Sequence, residues 1–292
     1  MSHYSLISAQ PEGAHRRSQL LTLWRIVRAE MLKQHRILFG SKLVYFSMLV
    51  WPGLQLGAAY YAFLPFLHAP DLAAHWSLAA DPRTVLLFFI TGMLGYNFFA
   101  AIVQSSWQFG FERFNGTLEI LFLTPANRLV LILANGVGAL VQSVWLFLTF
   151  AIGLILLVGG LHMSSPAMFL VAFLGLLIPA VCWAAFLNSV CIFARDSSFV
   201  YTLLESTMSF FSGVRIPLLA FPLWIRVLGA VLPLTTSLVI LRGALLSNET
   251  LLTLWPSLLF LASFSLVMLL VAVIILKKGE EHARLHGTLT LF

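Results

Sequence analysis

The chain has 292 residues, of which 60% are hydrophobic and only 10% charged, with a formal net charge of +6. Roughly a quarter of the residues in an ordinary soluble domain are charged, so this composition excludes one and points to an all-α polytopic membrane protein. The length accommodates six spans of about 20 residues each with short connections, and leaves no room for a separate catalytic domain.

Residues 1 to 19 are polar and contain Arg16 and Arg17. They are not followed directly by a short apolar core and a small-residue cleavage site, so no signal peptide is expected. From Leu20 to Leu38, a helical wheel gathers Leu20, Leu23, Trp24, Val27, Met31 and Leu38 within an arc of about 100°. Arg25, Arg28, Lys33 and Arg36 fall on the other side. That pattern predicts an interfacial amphipathic helix whose apolar face lies at the acyl boundary while its basic side meets headgroups or an acidic partner.

The first span is expected over Leu43 to Leu64, and the connection that follows holds Pro65, Pro70, Asp71, Asp81 and Pro82. The second, Val85 to Gln108, carries Tyr96, Asn97, Gln104 and Gln108, whose polar groups must find partners within protein because hydrocarbon offers none. The third, Leu129 to Val158, is longer than a bilayer requires, so it tilts or protrudes. The fourth, Pro166 to Phe193, contains Pro179, which predicts a kink. The fifth, Phe199 to Ser212, is short, and beyond it come Pro217, Pro222, Pro233, Trp224, Arg226 and Arg242 in a moderately apolar stretch. Two re-entrant half-helices between spans 5 and 6 account for that stretch, since irregular backbone at membrane depth must be satisfied by protein or water. The sixth span covers Leu251 to Leu276, with Lys277 and Lys278 stopping it at the inner face.

This divides the chain into an N-terminal segment (1–42), a six-span domain (43–276) and a C-terminal tail (277–292). Thirteen of the 17 basic residues fall in segments that would face the cytoplasm and four in segments that would face outside, which places both termini inside. Seven of them lie in the first 42 positions, where they serve topology and anionic lipid rather than nucleic acid. Cys182 and Cys191 are separated by about 13 Å along one helix and cannot bridge within it. His282 and His286 have i,i+4 spacing but no further ligands nearby, so no metal site is expected.

Between the second and third spans lies Phe111 to Pro125, the most charged short segment between two apolar runs, with Glu112, Arg113 and Glu119. Thr117 to Glu119 can start a short amphipathic helix that Pro125 closes. The charged pair Glu112 and Arg113, then Gly116, Thr117, Leu118 and Glu119, an apolar run and Pro125, resemble the coupling-helix segment of type-2 ABC transporter permeases. Ser212, Gly213, Pro217, Pro222, Pro233, Thr235, Thr236 and Arg242 resemble the same family's re-entrant region before its last span. The resemblance covers roughly residues 20 to 276. Departures are Phe114 and Asn115 where more charge is expected, Arg215 in the external turn, and the extra residues 1 to 19.

The resemblance implies an exporter permease in the inner (plasma) membrane. A second copy or a homologous permease would complete the path, and two cytoplasmic ABC ATPase subunits would dock on Phe111, Glu112, Arg113, Gly116, Thr117, Leu118, Glu119 and Pro125. The cargo would be an amphipathic drug, lipid, peptide or glycan-linked lipid. ATP and Mg would sit on the ATPase partner, because this sequence holds no Gly-x-x-x-x-Gly-Lys-Ser/Thr loop. Metalloprotease and nucleophile-elbow motifs are also missing, which argues against an enzyme.

Glu205 is the one acidic residue well within an expected span, where an unpaired carboxylate is expensive. It is a candidate substrate contact, proton site or structural partner of Thr202, Ser206 or Ser209. Tyr96, Phe99, Phe210 and Phe211 join it as candidates for the translocation path, on the two spans that flank the path in the family. An ion-coupled carrier or channel without an ATPase is the alternative, and it would need more intramembrane ionisable groups than Glu205.

Overall fold

A computed structural model describes residues 12–65, 82–116, 120, 127–158, 166–194, 196–247 and 249–286. Among them the chain is helical and contains no strand. The helices are α1 (Glu12–Phe39), α2 (Lys42–Phe63), α3 (Pro82–Phe114), α4 (Arg128–Gly138), α5 (Leu140–Val158), α6 (Pro166–Phe193), α7 (Ser197–Phe211), α8 (Leu223–Val231), α9 (Pro233–Leu245) and α10 (Leu251–His286). Four stretches are long and apolar enough to cross a membrane: Arg83–Trp107, Arg128–Ile152, Ala167–Phe193 and Leu251–Gly279. A fifth arises if the bent pair α8 and α9 counts as one span.

The outer surface fits hydrocarbon rather than water. Leu252, Leu259, Leu266, Leu270 and Ile274 of α10 are exposed, and only 17% of that helix's apolar window is buried. Such a continuous apolar flank would be an aggregation liability in water and is ordinary against lipid. These apolar helices fit a multi-pass membrane protein.

Helix α6 is central, packed against α3, α4, α9 and α10. Phe98 of α3, Phe147 of α5 and Phe173 of α6 meet edge to face, with ring centroids 5.4 to 5.8 Å apart. This is the favoured geometry for aromatic quadrupoles. Small residues bring α9 close: Ser237 donates from Oγ to the Gly175 carbonyl at 2.7 Å, and a Cβ on Gly95 would stand 2.5 Å from a Leu238 methyl. Without water to drive apolar association, such backbone approach and interhelical hydrogen bonding hold spans together.

Three expected spans carry further detail. The third, still one stretch able to cross a membrane over Arg128–Ile152, is divided at Ala139 into α4 and α5, beside Gly138, whose Cβ would lie 3.1 Å from the Glu30 carbonyl of α1. The last helix runs past Lys277 to His286, since lysines have good helix propensity and end an apolar stripe without ending a helix. Pro179 lies within α6.

The region after α7 is built by its prolines. Gly213 takes a left-handed backbone (φ 76°), Pro217 leads into a 3-10 turn (Leu218–Ala220), and Pro222 and Pro233 open α8 and α9. Those last two helices meet at 85°, and Thr235 pins the bend by donating from Oγ1 to the Gly229 carbonyl at 2.6 Å. Arg226 stays local, donating to the carbonyls of Leu219 and Phe221. A side chain at Gly213 would be strained and would press on Leu218, whose methyl lies 3.1 Å from the Cβ position. We expect Gly213→Ala to cost about 1–2 kcal/mol and to lower the melting midpoint by several degrees, read by size-exclusion chromatography after a heating series. An unchanged midpoint would show that this turn is free to rearrange.

Candidate functional site

A cavity of about 630 Å³ opens between four helices. Helix α2 contributes Val44, Ser47, Trp51, Pro52 and Gln55; α3 contributes Tyr96, Asn97, Ala100, Ala101 and Gln104; α5 contributes Gln142 and Leu146; α7 contributes Tyr201 and Glu205. Tyr96 is near the middle of the apolar stretch of α3, so the polar groups gather at mid-depth of that helix. The Tyr96 hydroxyl donates to Glu205 Oε1, joining α3 to α7. A second tie between the same helices is the Trp107 indole N–H, which donates to Ser198 Oγ at 3.2 Å while its ring stacks on Tyr201. Among the described residues the lining thus contains one carboxylate, four neutral amides, two phenols and no basic side chain.

Of the five residues expected on the path, the structure brings Tyr96 and Glu205 together at this cavity. Phe99, Phe210 and Phe211 do not line it. Phe99 is 1% exposed in the core, because it points about 130° around the helix from the centre of the cavity face at 100° per residue. Phe210 is 70% exposed on the outer surface and Phe211 is half-buried. The partner of Glu205 is Tyr96 rather than the same-helix hydroxyls of Thr202, Ser206 or Ser209. Sequence reasoning missed Gln55, Gln142, Tyr201 and Trp51. The glutamines carried a usable signal, since each is a lone amide in an apolar run that must be satisfied inside protein.

A second cluster lies where α1 meets the far end of α3. Lys33 Nζ stands 2.6 Å from Glu30 Oε2 and 2.7 Å from Glu112 Oε1. One residue on, buried Gln34 donates to Asn135 Oδ1 at 3.0 Å, and Asn135 Nδ2 donates to the Ser105 carbonyl at 2.8 Å. Helix α1 therefore docks through its polar residues and leaves Leu21, Leu23, Trp24 and Leu32 exposed. This corrects the expected arrangement of the basic side: Arg25, Arg28 and Arg36 are exposed, but Lys33 turns inward to the carboxylates.

Burial raises the Glu30 carboxyl above its ordinary 4.5, only partly offset by the charge and hydrogen bond of Lys33, with Glu112 adding to the rise. For Lys33, burial pushes down, but Glu30 and Glu112 outweigh it and the ammonium is held above its ordinary 10.5. The folded state thus binds the Lys33 proton more tightly than the unfolded chain does. Its contribution to stability is full below pH 10.5 and fades as pH rises through the raised value. Glu30, also raised, contributes most below pH 4.5 and loses that contribution as pH rises through its folded value.

From Glu112 the chain leaves α3 at Phe114 and turns at Asn115 and Gly116, where φ is 70°. That left-handed conformation is one a side chain would oppose, which suits glycine. Phe111 and Arg113 belong to the last turn of α3. Thr117, Leu118, Glu119 and Pro125, and so the expected coupling helix itself, lie outside the described residues. Among the described residues no group of three or more His, Cys, Asp or Glu is placed to hold a metal ion. Neither a family model nor a curated protein matches the chain.

Proposed function

We propose that the chain is the permease subunit of an ATP-driven, type-2 ABC exporter. Its six spans would be α2, α3, α4 with α5, α6, α7 and α10, with α8 and α9 as the re-entrant pair and both termini in the cytoplasm. Two copies, or one with a homologous chain, would form the path, and two ATPase subunits carrying ATP and Mg would dock on Phe111 to Pro125. The carrying observation is the continuity of α3. One 33-residue helix presents Tyr96, Asn97 and Gln104 to the cavity and ends in the Lys33–Glu112 pair just before the Gly116 turn. A continuous helix is stiff, so a push at the Gly116 end is delivered to the cavity wall.

The test is Glu119→Lys in the complex with the ATPase. Reversing one surface charge should leave the spans inserted and weaken ATPase docking or substrate stimulation by about tenfold, about 1 kcal/mol or slightly more. Glu249→Lys, on the opposite side in this topology, should be near neutral. Full coupling by Glu119→Lys would reduce Phe111 to Pro125 to a plain loop. Single cysteines at Asp81 and Asn115, in a chain lacking Cys182 and Cys191, should label from opposite sides. Labelling from one side would sink the six-span layout.

The carboxylate in the cavity favours a second reading, an ion-coupled carrier. That reading requires uptake or release driven by a pH gradient with no ATP present, and Glu205→Gln would abolish it.

A further inference from the structure

The lining of the cavity is one charge short. A carboxylate facing apolar spans is costly unless paired, and among the described residues the structure gives Glu205 the hydroxyl of Tyr96. Among the described residues that line the cavity there is no Lys, Arg or His to neutralise it. The remaining polar groups, including Gln104 and Asn97, are uncharged amides and hydroxyls that carry hydrogen-bonding atoms without supplying a counter-charge. Trp51 and Tyr201 are aromatic members of the lining, and aromatic ring faces attract cations and are indifferent to or repel anions. The volume of about 630 Å³ suits a drug-sized molecule.

We propose that this cavity is a binding site for an amphipathic organic cation. Glu205 is the counter-charge, Trp51 and Tyr201 are aromatic walls, and the Tyr96 hydroxyl holds the carboxylate in place. A neutral sugar would have no use for the carboxylate, and an anion would be repelled by it. The site stands on the cavity alone; its role as the cargo site rests on the exporter reading above.

The test uses a pair of probes of nearly equal size and opposite charge, tetraphenylphosphonium and tetraphenylborate, with the full chain in phosphatidylcholine nanodiscs and no nucleotide. Saturable binding is measured by equilibrium dialysis, with empty nanodiscs subtracted to remove partition into lipid. The expected result is saturable phosphonium binding that is about tenfold or more tighter than borate binding. Glu205→Gln should weaken phosphonium by a similar factor and leave borate unchanged or improved, while Glu205→Asp should stay within a few-fold of the parent. Equal affinities for the two probes, no saturable phosphonium binding, or full binding by Glu205→Gln would overturn the proposal. If Glu205→Gln does not fold, the two probes on the parent chain still decide. Failure here with ATP-coupled transport intact removes only the cation site. Intact cation binding with transport that needs no ATPase removes only the exporter reading.

Discussion

Arg242→Leu should lower the melting midpoint of the folded, monodisperse protein by about 10 °C. The guanidinium reaches across from α9 to α3 and to the turn after α7. Its Nη2 donates to the carbonyls of Gly213 at 3.0 Å, Phe88 at 3.2 Å and Val214 at 3.4 Å, and Nε donates to Thr91 Oγ1 at 3.4 Å. The charged carbon lies 3.7 Å above the Phe88 ring. Gly213 and Val214 are buried in irregular backbone, so leucine takes the guanidinium donor away from their carbonyls where water is scarce. Hydrogen bonds to a charged group contribute about 1.5–3 kcal/mol each in favourable cases. Allowing for the longer bonds and for the cost of burying the charge, the net loss is on the order of 3 kcal/mol, or about 10 °C in melting midpoint. Arg242→Lys should fall between, because an ammonium can stand in for Nη2 at the carbonyls but supplies neither the Nε bond to Thr91 nor the planar group over the Phe88 ring. The close approach that makes this lock possible depends on Gly92, whose Cβ would fall 2.1 Å from the Val214 carbonyl. Midpoints for parent, Lys and Leu variants would settle it, and a Leu variant melting within about 2 °C of the parent would mean that the carbonyls find other partners.

Hydropathy made the long apolar helices and the proline-built bend legible, because both follow from local rules: an apolar run demands burial or lipid, and proline opens helices. It misread the surfaces that face other helices. The wheel over Leu20 to Leu38 assumes that polar means outward, yet Glu30 and Gln34 are 7% and 1% exposed. The partners across the helix interface, Glu112 for Lys33 and Asn135 for Gln34, are 79 and 101 residues away in the chain. The spacing Glu30, Lys33, Gln34 does mark one helical face, and it describes a polar stripe beside the apolar one. Arg242 shows the same limit: it spends its donors on carbonyls up to 154 residues away, and no charge pattern encodes a backbone acceptor. Tyr96 and Glu205 stood out in the sequence because a phenol and a carboxylate in apolar runs each require a partner. That they choose each other is set by tertiary packing.

The clamp between α1 and α3 gives the second large effect. Lys33 stands between Glu30 and Glu112, so Lys33→Glu replaces two attractions with three crowded carboxylates. Breaking a buried pair costs about 3–5 kcal/mol, and because the Lys33 side chain is 32% exposed a discounted loss of about 2 kcal/mol is expected. That loss is local. The spans should remain folded, since α6 packs its neighbours without help from α1's ion pairs, whereas α1 should leave the end of α3. Disulfide trapping with a flexible bifunctional thiosulfonate between cysteines placed at Leu32 and Asn115, one and three residues from the Lys33–Glu112 pair, would read α1 release, with the cysteine-free parent as background. Lys33→Glu should cut the trapping rate several-fold. Adding Glu112→Lys should restore part of it, because that pair then regains opposite signs while Glu30 is still repelled by the new carboxylate one turn along α1. Lys33→Met, which removes the charge without reversing it, should lie between. The parent's trapping should hold from pH 7 to pH 10 and decline above, since the contribution of Lys33 is full below its ordinary 10.5 and lost through its raised folded value. Thiol ionisation raises disulfide rates over the same range, so each rate is taken relative to a cysteine pair within α6. Trapping that is indifferent to Lys33→Glu would mean that Gln34, Asn135 and the approach of Gly138 dock α1 unaided. In that case a push on Phe111 to Pro125 would reach the cavity through α3 alone, and α1 would be a membrane float rather than a brace.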